Sequence, residues 1–166
     1  MLVLLPAAVA VCASPARAAE GENSLIAGVG YDRLLEPVDG GGNGFGVLLG
    51  YRRGLADDWN LHAVATYSAH FGGTRRADLL SVAVEASYVI DAVSWVPDVH
   101  AGVGYFGPLA RRVREPDLGL VAGIGVEYRR WREVGFGVRA DYRFLVLHRD
   151  DTKGSMMINA FVARYF

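Results

Sequence analysis

The chain has 166 residues, enough for one domain, and it combines 52% hydrophobic residues with 21 glycines and a single cysteine. Its 17 basic and 18 acidic residues nearly cancel, so no basic excess favours nucleic acid as a partner. After residue 18 no apolar run reaches the ~18 residues that a membrane-spanning helix needs. A composition that is apolar but repeatedly interrupted is typical of alternating β-strands.

Residues 1–18 have the features of a signal peptide. Leu2 begins an apolar core of about ten residues, which is too short to span a bilayer as a helix. Ala16, Arg17 and Ala18 then form an A-x-A cleavage pattern. We therefore expect a signal peptide at residues 1–18 and one mature domain at residues 19–166.

Eight segments alternate apolar and polar residues with a period of two, which predicts strands with one apolar face. In one of them Trp59, Leu61 and Ala63 share a face, whereas Asn60 and His62 share the other. The lengths match the ~9–11 residues that a tilted strand needs to cross a bilayer. The predicted strands cover residues 25–35, 45–55, 59–71, 79–92, 99–106, 118–130, 134–147 and 156–166.

The predicted connections form two alternating sets, as strands running up and down require. Longer connections rich in Gly, Asp and Arg cover residues 36–44, 72–78, 107–117 and 148–155, and compact ones cover residues 56–58, 93–98 and 131–133. Aromatic residues on the apolar face fall at two levels, as expected for the girdles at the two water interfaces of a membrane barrel. The girdle near the compact connections comprises Trp59, Trp95, Trp131, Tyr51, Tyr88 and Tyr128, and the opposite girdle comprises Tyr31, Tyr67, Tyr105 and Tyr142.

The pattern as a whole predicts an all-β fold, an eight-stranded antiparallel up-and-down transmembrane barrel. The alternative is a soluble up-and-down barrel of the lipocalin type, which buries its apolar face inside. Here the apolar face carries almost no charge, and the other face is rich in glycine and charged residues. Because glycine and charge cannot form an apolar core, the composition of the two faces favours the membrane barrel.

The mature chain resembles the small eight-stranded outer-membrane barrels of Gram-negative bacteria, the OmpA-like and OmpX-like members of the porin family. The resemblance rests on the signal segment, the strand count, the girdles, the phrase GFGVRADYRF at residues 135–144 and the terminal Phe166. It implies an outer-membrane location among lipid and lipopolysaccharide, and recognition of the last strand by the barrel assembly machinery. The assembly signal would comprise Ile158, Ala160, Val162 and Phe166.

The last predicted strand has one residue that departs from the family pattern. Arg164 stands where the family has an apolar or aromatic residue, and it can extend to the interface. The opposite register, with Phe161, Ala163 and Tyr165 outward, is the alternative, and it would place Asn159 in lipid. We expect a monomer without a cofactor.

The charged residues on the predicted inward face include a set of seven. An eight-stranded barrel is just wide enough for side chains to fill it, which favours a polar plug over an ion-lined channel. A hairpin centred near Glu133 predicts that Glu127 lies opposite Arg139, within reach of a charge-assisted hydrogen bond. The predicted interior network comprises Asp32, Arg52, Glu85, Glu127, Arg139, Asp141 and Arg143.

These features predict a non-enzymatic outer-membrane barrel with a structural or surface-binding role, and a narrow small-solute pore is the alternative. A lipid A-modifying enzyme is a further alternative, because Ser68 and His70 share a strand face and Glu85 lies on the next strand. The Ser-x-His order is the reverse of the His-x-Ser order of the lipid-facing hydrolases that such an enzyme would resemble. No metal site is predicted, because metal-ligand spacing is absent among His62, His70, His100 and His148.

Overall fold

The computed structural model describes residues 20–35, 42–71, 77–90, 94–108, 117–146 and 154–166. The predicted signal peptide at residues 1–18 and His148 lie outside the described residues. Strands make up most of the described chain. They are β1 (Asn23–Leu35), β2 (Asn43–Ala56), β3 (Trp59–Phe71), β4 (Ala77–Val89), β5 (Trp95–Pro108), β6 (Asp117–Tyr128), β7 (Val134–Leu145) and β8 (Gly154–Tyr165).

The strands form one closed antiparallel barrel, in which each strand pairs with the next and β8 pairs with β1. This architecture confirms the predicted eight-stranded up-and-down barrel. Closure leaves no free sheet edge, so the backbone groups of β1 and β8 are paired on both sides. Within the described ranges, no helix is both long and apolar enough to cross a membrane.

The barrel has a short-turn end and a long-loop end. At the short-turn end residues 57–58, 90–94 and 129–133 connect the strands, and β1 begins and β8 ends there. The connections at the other end cover residues 36–42, 72–76, 109–116 and 146–153, most of which lie outside the described ranges. In bacterial single-chain outer-membrane barrels the short turns face the periplasm, so the expected outer-membrane location would place the short-turn end on that side.

Alternation along each strand separates an apolar outer face from a mixed inner face. Val29, Leu49 and Ile124 point outward and are 63–64% exposed, as expected for side chains that lipid would cover. In β8 the outward residues are Met156, Ile158, Ala160, Val162 and Arg164, whereas Asn159 is fully buried inside. The preferred register of the last strand is therefore confirmed over its alternative.

Several predicted strand ends were wrong, and β5 shows the largest shift. This strand begins at Trp95, whereas a connection was predicted for residues 93–98. In the structure Pro97 pairs with Val126 of β6, and its carbonyl accepts a hydrogen bond from the Ile90 N–H at 2.8 Å. The N–H that proline lacks would point to the same side, toward Ile90 just beyond the end of β4, so the β4–β5 ladder lacks only a bond at its terminus. The predicted ends of three other strands were also too late. The strands β4, β6 and β7 end at Val89, Tyr128 and Leu145, whereas the predicted ends were residues 92, 130 and 147.

The predicted girdle residues all lie on the outward face, at two levels. At the short-turn end Trp59 packs against Tyr88 with ring centroids 5.3 Å apart, and Trp95 packs against Tyr128 at 4.9 Å. Trp131 packs similarly against Phe136 in the same region. Tilted and edge-to-face aromatic pairs of this kind stabilise the rim by more than their buried area alone would.

Candidate functional site

The structure places all seven predicted network residues inside the barrel, in three groups along its axis. The mouth cluster, at the short-turn end, contains Glu22, Arg52, Glu127, Arg129 and Tyr165. The central cluster contains Glu85, Asp98, His100, Arg139 and Asp141. The far cluster, toward the long-loop end, contains Asp32, Ser68, His70, Arg143 and Met157.

The mouth cluster is built around the Tyr165 hydroxyl. This hydroxyl donates a hydrogen bond to Glu127 and accepts one from the Arg52 guanidinium. Arg52 Nη2 also donates to Glu127 Oε2 at 2.9 Å, and its Nε donates to Ser24 Oγ at 3.1 Å. Residues from β1, β2, β6 and β8 are thereby joined across the lumen.

A second ion pair covers the mouth cluster. Arg129, just beyond β6, donates to both carboxylate oxygens of Glu22, with Arg129 Nη1 lying 2.8 Å from Glu22 Oε2. The Arg129 guanidinium carbon lies 3.6 Å from the centroid of the Tyr165 ring, which is a cation–π contact. Planar arginine therefore pairs with a carboxylate and stacks on an aromatic ring at once. We refer to the Glu22–Arg129 pair as the cap.

The central cluster surrounds the buried guanidinium of Arg139. Arg139 Nη2 lies 2.6 Å from Asp141 Oδ1 and 3.0 Å from Glu85 Oε2. His100 Nε2 lies 2.7 Å from the same Asp141 oxygen, and His100 Nδ1 lies 2.9 Å from Asp98 Oδ1. Buried charges of both signs are therefore in direct contact, which offsets the cost of removing them from water.

The far cluster contains part of the set considered for an enzyme, but with a different acid. Ser68 Oγ donates to Asp32 Oδ2 at 2.7 Å, and His70 Nε2 lies 3.5 Å from the same oxygen. Glu85 pairs across the strands with His62, whereas Ser68 pairs with Leu79, so the Ser68–His70–Glu85 set is not assembled. Ser68, His70 and Asp32 are each at most 1% exposed, and they lie within the lumen rather than on the lipid-facing surface.

The predicted contact between Glu127 and Arg139 was wrong. In the β6–β7 hairpin Glu127 lies opposite Gly137, and Arg139 lies opposite Gly125. The hairpin is centred one residue earlier than expected, on Arg132 rather than Glu133. Each large charged side chain therefore faces a glycine, and it reaches across the lumen to a partner on a distant strand.

Several inward glycines provide the space that these side chains fill. A Cβ on Gly135 would overlap the Glu127 carboxylate, and a Cβ on Gly123 would overlap the His100 ring. The sequence had shown that the inner face is rich in glycine, but not which side chain would occupy each space. That assignment depends on inter-strand register and on side chains crossing the lumen.

The lumen also contains apolar layers that were not predicted from the sequence. Phe161 packs with Ile26, Leu48 and Val64 on the β1, β2, β3 and β8 wall. On another part of the wall Phe106 packs with Ala83 and Val121. The inner face therefore contains packed apolar side chains in addition to the predicted glycine and charged residues. The signal was present in the sequence, because Leu48, Phe106 and Phe161 fall at inward positions of the alternation.

The mouth contains a small cavity of about 20 Å³, lined by residues that include Ser24, Arg52, Asn60, Arg129 and Tyr165. This volume suits about one water molecule, and the lining supplies the polar partners that a buried water needs. Among the described residues, no group of three or more His, Cys, Asp or Glu side chains is arranged to hold a metal ion.

The residues of the predicted assembly signal lie together on the outer face of the barrel. Ile158, Val162 and Phe166 are 43–68% exposed, and Ala160 points in the same direction. Their neighbour Tyr165 points inward to the mouth cluster. The last two residues of the chain thus have opposite environments, one facing lipid and the other facing the lumen.

Comparison with known proteins shows a similarity of fold at low sequence identity. No protein-family model matches the chain, and no curated protein matches it. It is similar to Neisserial surface protein A, with a TM-score of 0.72 and 16% identity over 89% of this chain and 100% of that chain. It is also similar to Ail, the attachment invasion locus protein of Yersinia pestis, with a TM-score of 0.62 and 19% identity over 89% of this chain and 99% of that chain. The outer membrane enzyme PagL gives a TM-score of 0.55 and 20% identity over 85% of this chain and 98% of that chain.

These similar structures include an attachment invasion locus protein and an enzyme, so the shared fold does not decide the function. The closed eight-stranded topology and the exposed apolar band are independent observations from this chain. Together with the structural likeness, they show that the chain has the fold of the small eight-stranded outer-membrane β-barrels.

Proposed function

We propose that the protein is a non-enzymatic integral outer-membrane barrel with a structural or surface-binding role and a closed interior. The observation that supports this proposal is the filling of the lumen. Three ion-paired clusters and the apolar layers around Phe161 and Phe106 fill it. An eight-stranded barrel has room for little more than its own side chains, so the filled lumen is the stable arrangement.

The paired charges oppose solute passage as well as stabilising the barrel. A hydrated ion entering the lumen would have to separate Arg139 from Asp141 and Glu85. Separating buried partners costs several kcal/mol, since each would be left without its counter-charge. It would also have to displace Phe161 and Phe106, whose rings fill the spaces above inward glycines.

The outer surface and the last strand suggest the partners that we propose for the protein, which are membrane lipids and the assembly machinery. The apolar band would contact outer-membrane lipid, with lipopolysaccharide at the long-loop end. The assembly machinery would recognise the outward residues of β8. We propose a monomer that binds neither nucleic acid nor a cofactor. Surface binding, where it occurs, would use the long-loop end.

Membrane placement is tested by outer-membrane fractionation together with heat-modifiable migration on a gel. We expect the protein in the outer-membrane fraction and a shift in migration between unheated and boiled samples. A soluble protein without a heat shift would contradict the proposal at its first step.

The closed interior is tested by planar-bilayer conductance, and the cap makes a narrow pore the second candidate. The Glu22–Arg129 pair lines the small polar cavity in the mouth, where a gate could act. We expect no steady conductance from the wild type or from Arg129→Ala, because the central cluster and apolar layers remain below the cap. Conductance in the wild type would contradict the plug, and conductance only in Arg129→Ala would favour the gated pore.

The absence of enzymatic activity is tested by mass analysis of lipid A from cells with and without the protein. We expect identical lipid A species. A mass change that disappears in Ser68→Ala would overturn the non-enzymatic proposal and assign a catalytic function to the far cluster.

A further inference from the structure

Two arginines occupy lipid-facing positions at the short-turn end. Arg53 of β2 and Arg164 of β8 both point outward and are exposed, and neither forms an ion pair with another described residue. Within the eight described strands, they are the charged outward residues nearest to the short turns. The neighbouring outward residues of these strands are apolar or aromatic, so no acidic side chain from the strands balances the two charges.

The strand register brings these arginines into one surface across the β8–β1 junction. Arg53 lies opposite Asn23, and the backbone of Asn23 exchanges two hydrogen bonds of 3.0–3.2 Å with Phe166. In the adjacent row, Leu25 lies between Tyr51 and Arg164. The Tyr51 hydroxyl donates to Asn23 Oδ1 at 2.5 Å and so links the two rows. We call this surface the seam patch, formed by Asn23, Leu25, Tyr51, Arg53 and Arg164.

We propose that the seam patch binds the phosphodiester headgroup of an anionic glycerophospholipid in the periplasmic leaflet. A guanidinium presents parallel N–H donors that match phosphate oxygens, so two arginines provide a site for a phosphodiester. Below them, Leu25, Leu49 and Val162 offer an apolar path for an acyl chain. The patch therefore presents cationic and apolar surface in the order in which a phospholipid presents headgroup and tail.

The position and charge of the patch distinguish this ligand from related ones. Lipopolysaccharide belongs to the opposite leaflet, because the patch lies at the short-turn end. A zwitterionic headgroup adds an ammonium group that two unbalanced arginines repel, whereas phosphatidylglycerol adds none. Inorganic phosphate shares the phosphate chemistry, but it cannot use the apolar path beneath the arginines. The exposed carboxylate of Glu133 is a competing anion in the neighbouring β6–β7 turn, because the Glu133 backbone carbonyl accepts a hydrogen bond from the N–H of Tyr165 beside Arg164.

Native mass spectrometry of the purified barrel in a nonionic detergent tests the proposal. The probes are phosphatidylglycerol and phosphatidylcholine with identical acyl chains, each added alone. We expect the wild type to retain phosphatidylglycerol in preference to phosphatidylcholine. The double variant R53Q/R164Q should lose this preference, because each basic residue near an anionic lipid surface contributes about a fivefold change in binding. Its matched control, R33Q, removes an outward arginine of β1 at the long-loop end and should retain the preference.

Three results would overturn the proposal. The first is equal retention of both lipids by the wild type, which needs no variant. The second is unchanged phosphatidylglycerol retention in R53Q/R164Q with a normal heat-modifiable shift. The third is displacement of phosphatidylglycerol by an equal concentration of inorganic phosphate, which would indicate an anion site without a lipid component. The proposal rests on membrane placement, and loss of the heat shift in the wild type would instead refute that placement.

Discussion

At the scale of single residues, Arg139 illustrates how the lumen is stabilised. Its guanidinium contacts Asp141, Glu85 and His100 while only 6% of its surface is exposed. We expect Arg139→Ala to lower the free energy of unfolding by about 3–5 kcal/mol, because it leaves the buried Glu85 carboxylate without its ion-pair partner and removes the arginine partner of Asp141. Urea unfolding in detergent micelles, followed by tryptophan fluorescence, measures the change.

The control for this variant is Arg130→Ala. Arg130 is an exposed arginine beyond the end of β6. Its removal should change stability by less than about 0.5 kcal/mol, as is usual for surface positions. Equal effects at residues 130 and 139 would show that the central cluster contributes nothing specific to stability.

The inward glycines allow a second test, in which one methyl group is added at two sites. A Cβ on Gly135 would overlap the Glu127 carboxylate, which also binds Arg52 and Tyr165. We expect Gly135→Ala to displace this carboxylate and to lower stability by about 1–3 kcal/mol, the cost of disrupting buried polar contacts. Thermal unfolding monitored by the gel shift would report the change.

Gly50→Ala is the matched variant, since a Cβ there would meet its nearest atom at 3.4 Å, an ordinary contact. Glycine inside a strand is itself destabilising, so alanine at residue 50 should be neutral or slightly stabilising. Similar losses at residues 50 and 135 would mean that strand backbone, rather than the Glu127 contact, determines the effect.

The sequence predicted which residues face the lumen, but not which residues meet there. Period-two alternation depends only on neighbouring residues along one strand, so Asp32, Arg52 and Arg139 could be placed inside. Their partners depend on register and on side chains that cross the barrel. A one-residue error in the centre of the β6–β7 hairpin was enough to pair Glu127 with the wrong arginine.

At the scale of elements, the last residue of β8 and the residue that follows it combine an inner and an outer role. Phe166 is outward and 68% exposed, whereas Tyr165 is inward and bonded to Glu127 and Arg52. We expect deletion of Phe166 to reduce the amount of protein in the outer membrane, because it removes the last outward aromatic of the proposed assembly signal. Quantitative immunoblotting of membrane fractions tests this effect.

Tyr165→Phe should show the opposite behaviour, and it serves as the comparison. This variant keeps the ring that Arg129 stacks on but removes the bridging hydroxyl. It should therefore insert normally and unfold at a lower temperature. Normal membrane levels after Phe166 deletion, or an insertion defect in Tyr165→Phe, would contradict this division of roles.

The number and direction of the strands were predictable from local sequence. Each strand shows its own alternation of apolar and polar residues, and each connection is recognisable from its residue composition. Strand ends were less predictable, because they depend on neighbouring strands. Pro97 is accommodated inside β5 because its missing N–H would bond only at the terminus of β4, next to Ile90. The cap escaped prediction for a related reason, since Glu22 precedes β1 and meets Arg129 more than a hundred positions later in the sequence.

At the scale of the whole molecule, the polar residues of the lumen form separate clusters rather than one continuous network. Ser24 and Asp32 both lie on β1. Ser24 contacts Arg52 of the mouth cluster, whereas Asp32 belongs to the far cluster. Eight residues of extended chain separate them, which is roughly 27 Å at ~3.4 Å per residue. The apolar layer that contains Leu48 and Phe161 lies on the same wall. Ion pairs at the two ends should therefore contribute to stability independently.

This independence predicts how pairs of substitutions combine. The effects of Arg52→Ala and Arg143→Ala on the free energy of unfolding should add to within about 0.5 kcal/mol, as for distant sites without shared partners. Arg139→Ala and Glu85→Ala remove two members of one ion pair, so their combined effect should deviate from the sum by about 0.5–3 kcal/mol. Double-mutant cycles from urea unfolding give both values. Coupling between residues 52 and 143 as large as that between 139 and 85 would show that the whole lumen acts as one network, because only a continuous chain of contacts could join such distant groups.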